Sequence, residues 1–400
     1  MSHVDTHGTR AATDIVVLGA GPAGSAAALM LSRHAGHRVH LVEGTRFEAA
    51  RIGESVTGAM RALVDHIDAG AALARADCSI PSYTAQAEWG SVHVSTQDSL
   101  MTAHGDGRLL DRRRFDEALA ALAESRGATT WRETWLRDVE RVGGVDAAAW
   151  RLAFDHRGET RRIEARFVID ATGRRAAFAR RAGASVHAFD DLVAVASHVD
   201  RPRDREMPHG VLVESTADGW WYTAPLPRDR AVVAFLTDAD LLASSRAAAP
   251  EHFRSRLAAT TAVRERLAGC SPPGRPRVHL ARTQWLDMPR GEGWVAAGDA
   301  AFAPDPLSSA GIGHALASGI QAARIADEAL RGGDALSRAY PGDVTRNVER
   351  FLAQRTAVYA SEGRWPDAPF WRRRRGGLPP AMSTDPGVRA QANAEAIASA

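Results

Sequence analysis

The chain has 400 residues, 45% of them hydrophobic and 24% charged, which is enough for a sizeable buried core and for more than one domain-sized unit. Fifty basic residues against 48 acidic ones leave a net charge of +2, so neither nucleic acid nor an anionic membrane surface is expected as a partner. Every basic residue is arginine, and the absence of lysine excludes a Schiff-base anchor, a pyridoxal-phosphate site and a phosphate loop of the G-K-[ST] type.

The two cysteines, Cys78 and Cys270, suggest neither a disulfide framework nor a Cys-rich metal site. The histidines show no metal-ligand spacing, so His198, His209 and His314 read as ordinary polar residues and no metal is expected. Residues 1–13 are polar without an apolar signal segment, and no apolar run reaches the roughly 18 residues of a membrane span. A cytoplasmic location is the expectation.

In chain order, Asp14-Ile-Val-Val-Leu-Gly19 reads as a buried strand, Gly19-Ala-Gly21-Pro22-Ala23-Gly24 as a tight turn, and Ser25 to about Ala35 as a helix. A second strand, Arg38-Val-His-Leu-Val-Glu43, ends in an acid 19 residues after Gly24. The spacing points to a dinucleotide site: Gly19 for the turn, Gly21 for backbone approach to a pyrophosphate, Gly24 for helix packing, and Glu43 on a ribose hydroxyl pair. Glu43 also disfavours a 2′-phosphate there.

Arg51-Ile-Gly53-Glu54-Ser55 follows as a loop. Short alternating strands, among them Glu88 to Val94, are expected between about 74 and 107. A helix then opens at Leu110-Asp-Arg112-Arg-Arg-Phe115-Asp116 and runs to about Glu124. Arg166-Phe-Val-Ile-Asp-Ala171-Thr172-Gly173 is a further strand with a small-residue turn. From 185 to 278 the alternation returns in strands near 192–199, 210–214, 220–224 and 231–236, read as an antiparallel sheet. Period two puts Trp220 and Tyr222 on one face and Trp221 and Thr223 on the other, so one face can roof a pocket while the other covers a core. Pro250 to Leu267 reads as a surface helix. Gly293-Trp-Val-Ala-Ala-Gly298-Asp299 is a third strand and turn, leading through Asp305-Pro306-Leu-Ser-Ser-Ala-Gly311-Ile312-Gly313 to a helix from about His314. Helices are expected beyond Tyr340, with the run Arg372 to Arg375 as solvated surface.

Taken together, these segments resemble the glutathione-reductase-type FAD monooxygenase superfamily, which includes aromatic hydroxylases, flavin-dependent halogenases and geranylgeranyl reductases. The Gly53-Glu54-Ser55 loop and the strand Gly219-Trp-Trp-Tyr-Thr-Ala-Pro225-Leu-Pro resemble the halogenase branch. That strand, with Asp305-Pro306-Leu-Ser-Ser and Arg364-Trp-Pro-Asp-Ala-Pro-Phe-Trp371, is most similar to flavoproteins that hydroxylate a peptidyl tryptophan during quinone-cofactor maturation. The resemblance implies an α/β fold: a Rossmann-like FAD-binding domain (12–73, 108–184 and 279–345), an inserted antiparallel β-sheet substrate domain (74–107 and 185–278) and C-terminal helices (346–400).

It further implies FAD contacts at Gly19, Gly21, Pro22, Ala23, Gly24, Glu43, Gly44, Gly53, Ser55, Arg112, Ala171, Thr172, Gly173, Gly298, Asp299, Pro306, Gly311, Ile312 and Gly313. Glu54, Trp221 and Asp305 are the candidate catalytic residues. With a single dinucleotide fingerprint, electrons must come from transient NAD(P)H docking or a partner flavin reductase, and O2 is the co-substrate. The implied reaction is hydroxylation of an electron-rich ring by a flavin C4a-hydroperoxide. Its substrate would be an aromatic small molecule or a tryptophan-containing peptide or protein. A halogenase that depends on an active-site lysine is disfavoured. A reductase of the geranylgeranyl type and a non-catalytic flavin-binding escort remain as alternatives.

Overall fold

The computed structural model describes residues 11–375 except 35, 76, 144–148 and 246. The expected tail therefore lies outside the described residues from 376 onward.

Two large sheets organise the molecule. The first has a parallel centre in which Trp294–Ala296, Glu159–Asp170, Ala11–Leu18, Val39–Val42 and Thr129–Trp131 lie side by side. Ile15 and Val17 point into one core and Val16 and Leu18 into another, which explains a strand apolar at every position: both faces are covered. One covering layer is the helix Pro22–His34 packed on the helix Gly311–Leu330. The two approach so closely that a Cβ on Gly319 would lie 2.1 Å from the Ala23 carbonyl oxygen.

The second sheet has the order Arg277–Leu280, Leu192–Asp200, Arg230–Asp238, Gly219–Leu226, Gly210–Thr216, Thr84–Glu88, Ser95–Asp98. All of its pairings are antiparallel as expected, except that Gly210–Thr216 runs parallel to Thr84–Glu88. Those two strands come from separate stretches of chain joined by a long crossover, which is what a parallel neighbour requires.

Three local expectations are corrected. The strand expected over Glu88 to Val94 ends at Glu88, because Gly90 takes φ +70°, and a new strand begins at Ser95. The helix expected over Pro250 to Leu267 is two, Pro250–Ala258 and Ala262–Arg266. The helix expected from His314 begins three residues earlier, so Gly311, Ile312 and Gly313 form its first turn.

The chain then runs through the long helix Ala335–Ala360 to a last helix, Pro369–Arg375. Phe370 and Trp371 are fully buried with Trp220 and Tyr359 against the second sheet. The arginine run is not simply solvated surface: Arg374 is buried, forms an ion pair with Asp238 and lies 3.7 Å over the Phe370 ring, while Arg373 pairs with Asp238 and Asp240. No helix among the described residues is long and apolar enough to cross a membrane.

Candidate functional site

The first turn shows why three glycines are needed and that each meets a different demand. Gly19 takes φ +96°, and a Cβ there would fall 2.3 Å from the Ala171 carbonyl oxygen. At Gly24 a Cβ would lie 1.8 Å from the Gly19 carbonyl oxygen. A Cβ on Gly21, by contrast, would meet nothing within 4 Å. Two glycines lock strand to helix, and the third leaves bare backbone at a helix N-terminus, where N–H groups and the helix dipole favour an anion.

Glu43 stands beside this turn. Its Oε2 accepts from the Ala20 N–H at 3.0 Å, and its Oε1 accepts from the Thr45 N–H at 3.0 Å and the Thr45 hydroxyl at 2.6 Å. Its position is thus fixed by the turn, by Thr45 and by Arg51, whose Nη2 donates to Oε1 at 3.3 Å.

From here a cleft of about 1120 Å³ runs between the two sheets. Glu43, Gly44 and the ring of Trp135 line one end, and a Cβ on Gly44 would strike that ring at 2.6 Å. The middle is walled by Gly19, Gly21, Pro22, Ala23, Ala171, Thr172, Gly173 and Asp299, then by Pro306, Gly311 and Ile312. The far end meets the second sheet at Ala194, Trp220, Tyr222, Ala234 and Leu236, with Gly53, Glu54, Ser55, Arg112 and Asp305 around it. Gly24, Gly298 and Gly313 do not line the cleft. Gly298, at φ +60°, instead lets the chain pass Ala23, where a Cβ would approach to 2.9 Å.

Trp221 is a correction. Strand alternation turns it away from the cleft into the opposite core, where it packs on Phe235 and Phe253. The cleft face carries its neighbours Trp220 and Tyr222, which period two places together, although the sequence reading names Trp221 as the candidate catalytic residue.

Arg112 owes its position to Asp116, one turn later and fully buried. Nε and Nη2 of Arg112 each donate to Asp116 at 3.1 Å, and Arg51 Nη1 donates to the same carboxylate at 2.9 Å. The remaining Arg112 nitrogen, Nη1, donates to the Ile52 and Gly53 carbonyls at 3.2 and 3.1 Å, shaping the loop that presents Glu54.

Glu54 is 1% exposed, and among the described residues no hydrogen bond of ordinary geometry reaches either carboxyl oxygen, although the Tyr222 hydroxyl and the Gly53 and Glu54 N–H groups face it. Burial pushes its pKa up to about 7, opposed in part by the Arg112 guanidinium, then by the Glu54 and Gly53 backbone N–H groups and the Tyr222 hydroxyl. Burial and the facing carboxyl together push the Tyr222 phenol up. A buried carboxyl balanced near neutrality and facing a phenol is equipped to take up and release a proton.

Asp305 has no such freedom. Its Oδ1 accepts from the Leu307 N–H, and its Oδ2 accepts from Arg355 Nε and the Tyr359 hydroxyl, each at 3.0 Å. Trp220 Nε1 in turn donates to the Tyr359 oxygen at 3.1 Å, and Arg355 also holds Asp190 at 2.7 Å. This buried chain ties the cleft wall to the C-terminal helices. Sequence reasoning missed Asp116, Trp135, Tyr359 and Arg355; only Asp116 carried a local signal, one turn beyond Arg112.

The model for the FAD-dependent oxidoreductase family matches residues 14–193. LodB of Marinomonas mediterranea, named as an FAD-dependent oxidoreductase, is 32% identical over 365 residues, which is 90% of this chain and 96% of that protein. The chain belongs to the FAD-dependent oxidoreductases. Among solved structures, the flavin-dependent halogenase CmlS is 25% identical with a TM-score of 0.79, covering 97% of this oxidoreductase and 70% of that chain. The peptidyl tryptophan dihydroxylase QhpG, described as essential for tryptophylquinone cofactor biogenesis, is 28% identical with a TM-score of 0.72, covering 92% and 79%. This FAD-dependent enzyme thus sits in a halogenase-like branch with the expected α/β, Rossmann-like fold.

Proposed function

We propose that this oxidoreductase is a monooxygenase that hydroxylates the indole ring of a tryptophan held in a polypeptide. The observation that carries the reading is Glu54, a buried carboxyl balanced near neutrality and facing Tyr222, at the end of the cleft walled by Trp220 and Tyr222. The likeness to a peptidyl tryptophan dihydroxylase and the absence of lysine support hydroxylation over lysine-dependent halogenation.

The cleft fits FAD on its own geometry. The bare backbone at Gly21 and the helix N-terminus would receive the pyrophosphate, Glu43 the adenosine ribose and Asp299 the ribityl chain, while the first turn at Gly311 and Ile312 would meet the flavin ring. When bound and reduced, by NAD(P)H or by a partner reductase, FAD supplies the two electrons with which O2 gives one oxygen to substrate and one to water.

The chain's own residues then have three tasks. Ala194, Ala234, Leu236 and Trp220 keep water from the reacting end and offer an apolar and aromatic wall for an indole to lie against. Tyr222 and Arg112 hold the electrostatic balance at Glu54. As the C–O bond forms, the ring carbon must lose its hydrogen as a proton to regain aromaticity. A Glu54 oxygen accepts that proton, and the C–H electron pair returns to the ring.

The test is mass spectrometry of tryptophan-containing peptides incubated with the FAD-loaded enzyme, NADH, a flavin reductase and isotopically labelled O2. Gain of one labelled oxygen per hydroxylation is expected. If no indole or phenol substrate ever gains oxygen while flavin is reduced and reoxidised, the reading is wrong.

A further inference from the structure

On one side the second sheet ends at the strand Arg277–Leu280, which pairs antiparallel with Leu192–Asp200 and with no other strand among the described residues. Its register decides what faces outward. The Ala281 N–H donates to the Leu192 carbonyl at 3.0 Å, and Leu280 lies opposite Val193. In an antiparallel ladder the inward hydrogen bonds then belong to Arg277 and His279, and the N–H and C=O groups of Val278 and Leu280 point away from the sheet. Val278 is 49% exposed and Leu280 60%. An open edge with exposed apolar side chains is a template for another strand, which proteins ordinarily cover or blunt.

This edge adjoins the cleft. His279, Leu280 and Ala281 line it together with Ala194 of the neighbouring strand. Opposed residues share a face, so His279 looks onto the cleft with Ala194, whereas Val278 and Leu280 lie on the opposite face with Val195 and Val193. The flank is basic. Arg275 and Arg277 are exposed, and neither has an ion-pair partner among the described residues.

We propose that the edge Arg277–Leu280 docks the substrate polypeptide, which adds to the second sheet as an extended, acidic segment and so delivers its tryptophan into the cleft. The proposal rests on the reading of the substrate as a tryptophan held in a polypeptide. A strand added antiparallel would lie about 4.8 Å away and pair with both N–H and both C=O groups that Val278 and Leu280 turn outward. The residue opposite His279 projects onto the cleft face, which is the position for the tryptophan. Its two chain neighbours lie opposite Val278 and Leu280 and share their apolar face. The second residue after the tryptophan falls opposite Arg277, where a carboxylate supplies the counter-charge. The segment selected is therefore apolar, tryptophan, apolar, acidic. Like charge at Arg275 and Arg277 works against a second copy of this edge as the occupant.

Hydrogen exchange of the FAD-loaded, full-length protein, oxidised and without reductant so that nothing turns over, tests the edge with a synthetic peptide carrying Val-Trp-Val-Asp at its centre. The Val278 and Leu280 amides should exchange readily in the free protein and slow by about tenfold or more with saturating peptide. By fluorescence anisotropy, N-methylation of both peptide valines should raise Kd by roughly tenfold or more. Val278→Pro removes an outward N–H without touching the ladder to Leu192–Asp200 and should do the same in folded, FAD-replete protein. Arg277→Glu should weaken this peptide and favour one with Lys in place of Asp. Binding that is absent, or equal for methylated and unmethylated peptide, overturns the docking. So does protection of the two amides before peptide is added, which assigns the edge to a second copy if it grows with protein concentration and to the chain's own residues if it does not. With reductant and labelled O2 the two readings part. A peptide that gains oxygen irrespective of N-methylation leaves the reaction standing without this dock, and one that binds through its backbone but never gains oxygen leaves the dock without that reaction.

Discussion

Trp220 and Trp221 are adjacent in the chain and fully buried, yet they belong to opposite faces of the same sheet. Trp220 lines the cleft and donates to Tyr359, whereas Trp221 is enclosed by Phe235 and Phe253 on the far side. Their substitutions should separate cleanly. Trp221→Ala should cost about 3–5 kcal/mol of stability, the usual loss for a large aromatic removed from a core, while Trp221→Phe should retain activity. Trp220→Phe, which keeps an aromatic ring but loses the N–H and the fused five-membered ring, should cost roughly 1–3 kcal/mol and yet change KM for an indole substrate. Denaturant melts and steady-state kinetics on the same three proteins check this.

A comparable contrast separates two glycines of one turn. Gly21 is not in the left-handed backbone region, and a Cβ there meets nothing within 4 Å, so Gly21→Val should fold with a melting temperature close to wild type. It should nonetheless be purified without flavin, because the new methyl groups stand where backbone must approach a pyrophosphate. Gly24→Ala puts a carbon 1.8 Å from the Gly19 oxygen and should fail at folding. Flavin content read alongside circular dichroism distinguishes the two kinds of loss.

The glycine turn was legible in the sequence because each residue's identity encodes its backbone task, and because strand, turn and acid occur at fixed spacing. The sheet faces were legible only as a pair of alternatives. Period two separates Trp220 from Trp221, but which face looks onto the cleft is decided by the loop carrying Glu54, more than 160 positions earlier in the chain. The same non-locality hid Arg374: a run of arginines reads as solvated until Asp238, at the end of a strand of the second sheet, turns out to be its partner. Asp305 illustrates a third limit. Its acid was visible in the P-D-P turn, but Arg355 and Tyr359, which occupy its outer oxygen, arrive from a helix 50 residues later.

Asp116 is the buried anchor for two guanidinium groups, Arg112 and Arg51. Asp116→Asn would leave both cations without a counter-charge at the base of the Glu54 loop. A loss of about 3–5 kcal/mol is expected, as for breaking a buried ion pair from one side. Because Arg112 lines the cleft, the surviving folded protein should also bind FAD more weakly. Equilibrium dialysis against FAD at a temperature below the lowered melting point measures this.

The raised pKa of Glu54 makes a joint prediction for activity and stability. Acting as a base, Glu54 must be ionised, so the hydroxylation rate should climb as pH rises through about 7. Glu54→Gln should lose that limb of the profile and about a hundredfold or more in rate. Stability runs the other way. The carboxyl titrates near 7 in the folded protein against 4.5 for an unperturbed glutamate, so between those values the native state binds the extra proton. The stabilisation is complete below pH 4.5 and is lost as pH rises through 7, a change of about 3 kcal/mol for this one group. Glu54→Gln is always neutral and should therefore gain on wild type as pH increases, its melting temperature overtaking or approaching wild type at pH 8 relative to pH 5. A melting-temperature difference that stays flat across this range would mean that the carboxyl is already ionised where it sits. In that case Glu54 would be a fixed charge beside Arg112 and not a group that exchanges protons.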